Sequence, residues 1–357
     1  MFCLPRLFDS IPRESIATSK GREGRVSRDS DTVSTPLKFP LPKTGVHAYS
    51  ALSKNEPDGA MKHLLSLENM SAMDMDHVLN TAAAFKSNRG HDVKPLAGQT
   101  WALIFSKSST RTRVSFEVGI HELGGRPLFL NAGDIQLGRG EPIKDTARVL
   151  GRMVHGAVIR TFAQQDVDEF ARYSGIPTIN ALTDDEHPCQ ILTDIFTFQE
   201  KRGSIRGKVV TFVGDGACNV PVSWVWAASK LGFELRIAAP KAYQPSSDLL
   251  ARAGGNIVCT ENVNAAASGA DLLYTDVFVS MGKEAESADR LKDLAPYQVN
   301  ADLVKRAKPD ALVMHCLPAY RGKEISEETL EAHADTIFTE AENRLHTQKA
   351  ILAWLVG

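Results

Sequence analysis

Ser108-Ser109-Thr110-Arg111-Thr112-Arg113 follows the apolar stretch Trp101 to Phe105 and precedes an amphipathic segment. The order strand, hydroxyl-rich turn, helix builds an anion site. Ser109 or Thr110 can cap the helix, the first-turn N–H groups point outward unpaired, and Arg111 adds a fork of donors that fits phosphate oxygens. A phosphorylated ligand is the first expectation. Taken alone, the run also reads as an ordinary N-cap with surface arginines.

Further polar clusters stand where short apolar runs end. Arg160 closes Ala157 to Ile159. His187-Pro188-Cys189-Gln190 opens a helix, with Pro188 suited to its first position and His187 near the cap. His187 reads either as a capping or core imidazole or, with Gln190 three residues on along the same face, as a holder of a planar carbonyl and its amide. Gly214-Asp215-Gly216 follows Val213 but is succeeded three positions later by Asn219, so the dinucleotide pattern lacks its third glycine and no ribose acid follows in context. Asn219 offers instead a neutral amide. Asp276 closes Leu272 to Thr275, and His315-Cys316-Leu317-Pro318 follows Val313-Met314. Cys316 reads either as a small buried hydrophobe or as a polarised thiol.

The elements that must position these residues alternate. A helical pattern runs over 63–85, and strands follow at 100–106, 126–130, 156–161 and 177–181, with helices at 110–123, 143–152 and 166–174. A second series places strands at 208–213, 233–238, 256–259, 271–275, 311–315 and 335–338. A helix over 188–201 joins the two series, and a last helix over 340–355 must dock its apolar face. The fold class is α/β, with two domains, each a parallel β-sheet flanked by helices, joined by interdomain helices. In such sheets ligands sit beyond the carboxyl ends of the strands, where all the polar clusters fall.

The 357 residues, 43% hydrophobic and 24% charged, suffice for two domains of ordinary size. A net charge of −2 provides no broad basic field for nucleic acid. No apolar run approaches the roughly 18 residues of a membrane span. The five cysteines (Cys3, Cys189, Cys218, Cys259 and Cys316) are scattered and form no Cys-x-x-Cys pair, which fits a reducing compartment and argues against structural zinc. Residues 1–58, rich in Ser, Arg, Pro and Asp, read as a mobile extension. The expected location is cytoplasmic, or an organelle matrix if that extension is a transit peptide; its acidic residues spoil the transit signature.

Ser109 to Arg113, His187 to Gln190, Asp276-Val277-Phe278-Val279-Ser280-Met281-Gly282 and His315 to Pro318 together resemble the motif set of the carbamoyltransferase family, in its ornithine-using branch. Ala341 to His346 resembles that family's closing helix, and the match runs in order over about residues 62–357. The resemblance implies transfer of a carbamoyl group from carbamoyl phosphate to the δ-amino group of L-ornithine, with no metal or organic cofactor. It implies a carbamoyl phosphate-binding domain over 59–190, an ornithine-binding domain over 191–339, and a helix over 340–357 docking back on the first. By the same carry-over Ser109, Thr110, Arg111 and Thr112 hold the phosphate, and Arg160 reaches phosphate and carbonyl. Thr112 and His187 polarise the carbonyl, while Gln190, the Leu317 carbonyl and Arg344 hold the amide. Asn219, Asp276, Ser280 and Met281 bind ornithine, with Asp276 and Cys316 nearest the amine. Arg160, His187, Asp276 and Cys316 are the catalytic set. The family's homotrimers borrow a residue from the next subunit, and Gln136 matches that position. Arg113 is left as a structural ion pair.

Two departures stand out. Cys218-Asn219 replaces the family's usual pair of asparagines, and Val222 stands where a polar side chain is frequent. These keep a different amine acceptor in view. A catalytically silent carbamoyl-phosphate-binding homologue is the alternative from another class, and a dehydrogenase is the weakest.

Overall fold

The computed structural model describes residues 61–91, 93–280, 282 and 284–357. The expected extension 1–58 and Met281 lie outside them. Residues 61–202 supply α1 (Ala72–Ser87), β1 (Thr100–Phe105), α2 (Thr110–Glu122), β2 (Arg126–Asn131), α3 (Ile143–Leu150), β3 (Gly156–Arg160), α4 (Gln164–Ser174), β4 (Thr178–Leu182) and α5 (Pro188–Arg202). The chain continues through β5 (Val209–Val213), α6 (Asn219–Leu231), β6 (Glu234–Ala238), α7 (Ser247–Ala253), β7 (Ile257–Thr260), α8 (Val263–Ala267) and β8 (Leu272–Thr275). It ends with α9 (Ser287–Leu294), α10 (Ala301–Val304), β9 (Leu312–His315), α11 (Glu327–Ala332) and α12 (Ala334–Val356).

The strands form two parallel sheets, one in the order β2-β1-β3-β4 and one in the order β7-β6-β5-β8-β9. In each the strand order reverses beside the first strand, between β1 and β3 and between β5 and β8. Such reversals splay the connections apart and leave a crevice at the strands' carboxyl ends. The Ser109 turn and Arg160 follow β1 and end β3, while Gly214 and Asp276 follow β5 and β8.

One apolar core runs from Trp101 and Phe116 through Ile191, Leu192, Ile195 and Phe198 of α5 to Phe212, Trp224 and Tyr274. α5 is therefore a shared spine, buried on all sides through Phe198. Its polar residues survive there because they bond back along the helix: Thr193 Oγ1 donates to the Cys189 carbonyl at 2.7 Å and Thr197 Oγ1 to the Thr193 carbonyl at 2.9 Å. Gly156 opens β3 beside the Trp101 ring, where a Cβ would lie 2.5 Å from Cζ3.

Two expectations are corrected. Residues 335–338 are helical, the first turn of α12, rather than a strand. Thr336-Ile337-Phe338 is too short an apolar run to fix a period, and the helix buries Ile337 while leaving Phe338 exposed. The first helix starts at Ala72 instead of residue 63, capped by the Ser71 hydroxyl, which accepts from the Asp74 N–H at 3.0 Å. Leu64 extends the β4 edge by a bridge to Ile179, its carbonyl accepting from the Asn180 N–H at 2.7 Å. α12 packs against α1, α2, α5 and β9.

Candidate active site

Ser109 caps α2, its hydroxyl accepting from the Thr112 N–H at 3.2 Å. The first turn carries no acidic residue to neutralise the positive helix end. Ser109 and Thr110 line a cavity of about 880 Å³ with Lys107, Arg113, Phe162 and Gly282. Gly282 follows β8, so the second sheet's loop reaches the turn after the first sheet's β1.

Three guanidiniums converge behind this turn. Arg160 feels the charges of Arg344 and Arg111, and burial together with those neighbours lowers its pKa to about 10. Arg344 is likewise lowered, by burial first and then by Arg111. Among the described residues no carboxylate pairs with any of the three, and the Nε atoms of all three are buried without a hydrogen-bond partner. Buried cations held together against their repulsion, with unused donors, define a site for an anion. Arg344 Nη2 also donates to Thr112 Oγ1 at 2.6 Å.

His187 stands at the N-cap of α5 and Gln190 in its first turn. Burial pushes the His187 pKa well below its ordinary value, reinforced by Arg344 and Arg160. The imidazole is thus neutral at pH 7, and its Nδ1 is buried without a partner. The Ser223 hydroxyl accepts from the His187 N–H at 2.9 Å. Gln190 Nε2 donates to Asp194 Oδ1 at 2.7 Å and Glu340 Oε1 at 3.0 Å, leaving Gln190 Oε1 buried and unpartnered.

From the second sheet, Cys316 Sγ donates to Asp276 Oδ1 at 3.0 Å. Burial and then the Asp276 charge hold the thiol well above its ordinary pKa, so Cys316 is a neutral thiol and no thiolate nucleophile. Burial also raises Asp276. Leu317 sits at φ 56, a left-handed conformation that L side chains rarely adopt. Its N–H donates to His315 Nδ1 at 2.9 Å, so His315 carries its proton on Nε2, which faces Glu324 Oε1 at 3.2 Å.

Asp276, His315 and Cys316 bring ligand-type atoms within 4.8 Å of one another. They do not fit a resident metal, because both imidazole nitrogens are engaged and the thiol keeps its proton on the carboxylate.

Thr112, Arg111, Arg160, His187, Asp276, Cys316 and Arg344 thus share one electrostatic neighbourhood, with Gln190 on the His187 face. Asn219 stands at its border, where Nδ2 donates to the Thr183 carbonyl at 2.6 Å. Ser280 is half-buried in the loop after β8, and Met281 beside it lies outside the described residues. Gln136 is exposed in the single turn Gln136–Arg139, and among the described residues its side chain has no hydrogen-bond partner. Arg113 pairs with Glu117 at 2.9 Å and lies over the Phe129 ring.

Comparison with known proteins decides the family. The model of the aspartate/ornithine carbamoyltransferase carbamoyl-P binding domain matches residues 62–200, and that of the Asp/Orn binding domain matches residues 206–355. This chain belongs to the aspartate/ornithine carbamoyltransferase family. Ornithine carbamoyltransferase of Akkermansia muciniphila is 57% identical over 299 residues, 83% of this chain and 98% of that protein. The structure of the Pyrococcus furiosus ornithine carbamoyltransferase superposes with a TM-score of 0.78 at 45% identity, over 82% of this chain and 96% of that one. The anabolic ornithine carbamoyltransferase of Campylobacter jejuni gives 0.79 at 43% identity, over 83% and 99%.

In this carbamoyltransferase several contributing residues escape motif reading. Lys107 is buried, paired with Asp184 and 4.4 Å over the Phe162 ring. Asp194 and Glu340 hold Gln190, and Glu324 holds His315. One signal was available: Asp194 lies four residues after Gln190, and Glu340 four before Arg344, spacings that share a helix face. Among the described residues no helix is long and apolar enough to cross a membrane.

Proposed function

We propose that this chain transfers the carbamoyl group of carbamoyl phosphate to the δ-amino group of L-ornithine, giving L-citrulline and phosphate. The observation that carries the reading is the trio Arg111, Arg160 and Arg344, unpaired by any carboxylate among the described residues, together with the buried open acceptor Gln190 Oε1. That combination suits a ligand that is a phosphate at one end and an amide at the other.

Ser109, Thr110, Arg111 and Thr112 hold the phosphate. Arg160, neutral His187 and Thr112 donate to the carbonyl oxygen, and Gln190, the Leu317 carbonyl and Arg344 bind around the amide. Asn219, Asp276, Ser280 and Met281 bind the amino acid. An alkylammonium is neutral only about once in 2,500 molecules at pH 7, a penalty of about 4.6 kcal/mol, so the site must select or create the free amine. Desolvation in this buried setting favours the uncharged form, against the pull of the Asp276 charge, and Asp276 and the neutral Cys316 thiol orient the amine. The amine nitrogen forms a bond to the carbonyl carbon, and the oxyanion develops against donors already in place. The bond from carbon to the phosphate oxygen breaks, phosphate leaves into the Arg111 nest, and the nitrogen gives a proton to the departing phosphate. No covalent enzyme intermediate is needed.

The same reading takes the boundaries as 59–190 for the donor domain, 191–339 for the acceptor domain and 340–357 for the returning helix. It also takes the protein as a cytoplasmic homotrimer in which exposed Gln136 enters a neighbouring site. Ureido-product formation with carbamoyl phosphate and, separately, ornithine, putrescine, N-acetylornithine and aspartate tests the proposal. Citrulline from ornithine alone supports it. Preference for another amine moves the acceptor, and no turnover with any of them favours a silent homologue.

A further inference from the structure

Gln190 has two chemically opposite ends, and only one of them can serve a ligand. Its NH2 end lies between two carboxyl groups, 2.7 Å from Asp194 Oδ1 and 3.0 Å from Glu340 Oε1. A carboxamide turned over would press its oxygen against those acceptors, so the pair dictates that the oxygen faces away from them. That oxygen is buried and has no partner.

Glu340 also accepts from a second donor. Its Oε2 accepts the His315 N–H at 3.0 Å, and the His315 ring in turn accepts the Leu317 N–H at 2.9 Å. One carboxyl on α12 therefore braces both Gln190 Oε1, on α5, and the turn that carries the Leu317 carbonyl. Tyr274 adds a hydroxyl to Glu340 Oε1 at 3.4 Å.

We propose that Asp194 and Glu340 are positioning residues which fix Gln190 Oε1 and the Leu317 carbonyl as paired acceptors, so that the site takes an acyl phosphate bearing NH2 and rejects one bearing CH3. The inference rests on the carbamoyl-transfer reading of the site. Burial of both carboxyls raises their pKa values, and a proton shared between them keeps at least one acceptor for Gln190 near neutrality. A methyl group would leave two buried acceptors without donors, a large penalty for the wrong donor.

The test compares carbamoyl phosphate with acetyl phosphate, ornithine being the acceptor, and uses inorganic phosphate as a competing ligand that probes only the anion end. Wild-type turnover of carbamoyl phosphate is measured first, since its absence would strike the functional reading and not this one. In Asp194→Ala the carbamoyl-to-acetyl ratio of kcat/KM should fall at least tenfold, with phosphate inhibition and the ornithine KM within about twofold. Asp194→Asn, which can still accept from Gln190, should recover most of the ratio. In a Gln190→Ala background Asp194→Ala should add less than twofold, because it acts through Gln190. An unchanged ratio overturns the proposal, as do additive effects or equal losses toward phosphate and ornithine. Should Asp194→Ala fail to fold, Glu340→Gln is read by the same ratio. Its amide cannot accept from both Gln190 and His315 at full strength, so a fall of threefold or more is expected and no change is the refuting result.

Discussion

Arg344 Nη2, on the last helix, donates to Thr112 Oγ1, in the first turn of α2, at 2.6 Å across 232 residues of chain. The contact ties the last helix to the first turn of α2. It also holds a third guanidinium beside Arg111 and Arg160: Arg344 and Arg111 lower the pKa of Arg160, and Arg111 lowers that of Arg344. Replacing Arg344 by Met keeps the buried stem and removes the repulsion. Arg344→Met should therefore melt no lower than wild type without added ligand, yet lose about 100-fold or more in carbamoyl phosphate affinity, about 2.7 kcal/mol. Thermal melts with and without phosphate decide this, and a variant that melts lower but still binds would contradict it.

Arg111 and Arg113 stand two residues apart with different employment. Arg113 is paired with Glu117 and lies 3.6 Å over the Phe129 ring centroid, whereas the Arg111 Nε has no partner. Arg111→Ala should cost about 100-fold or more in phosphate affinity by titration calorimetry, and Arg113→Ala less than about tenfold, in line with the small worth of exposed ion pairs. Equal losses would mean that both arginines form the anion site.

Asp276 and Cys316 are coupled through the 3.0 Å contact between thiol and carboxylate. Asp276→Asn removes the charge that, after burial, holds the thiol proton most strongly. Iodoacetamide should then label Cys316 several-fold faster at pH 8, followed by mass spectrometry of the peptide, while ornithine turnover falls. Labelling at the wild-type rate would show that burial alone governs the thiol.

Glu186 joins Ser66 and the Leu67 N–H to Ser223 of α6, and burial raises its pKa to about 7. A carboxyl with a raised folded-state pKa contributes stability that is fully present below its unfolded value of 4.5, declines as pH rises, and is lost above about 7. Glu186→Gln should flatten that part of the stability profile and gain on wild type by a few kcal/mol at pH 8. Denaturant melts from pH 4.5 to 8 measure it; a difference that does not change with pH would refute the assignment.

Gly156→Ala should lose about 1–3 kcal/mol of stability, because its Cβ would meet the Trp101 ring at 2.5 Å and neither strand nor ring has room to move. Trp101→Leu should relieve part of that penalty in the double variant. Additive losses in a double-mutant cycle would place the strain elsewhere.

Much of the architecture follows from local patterning. Short apolar runs ending in polar residues marked every strand of the two sheets among the described residues, because the inner strands, covered on both faces, need continuous apolar side chains. Local chemistry likewise marked the Ser109 cap and Pro188 at the start of α5, since each depends on neighbours within one helical turn. Thr336-Ile337-Phe338 misled, because three residues carry no period and only packing on the second core chose helix.

Tertiary structure decided what depends on distant partners. That His187 is neutral follows from burial beside Arg344 and Arg160, and that Cys316 is a protonated donor follows from Asp276, 40 residues away. The orientation of Gln190 is set jointly by Asp194, one turn away, and Glu340, 150 residues away. Protonation and hydrogen-bond direction are set by the dielectric and by the groups across the crevice, and these exist only once two sheets and the final helix have been brought together.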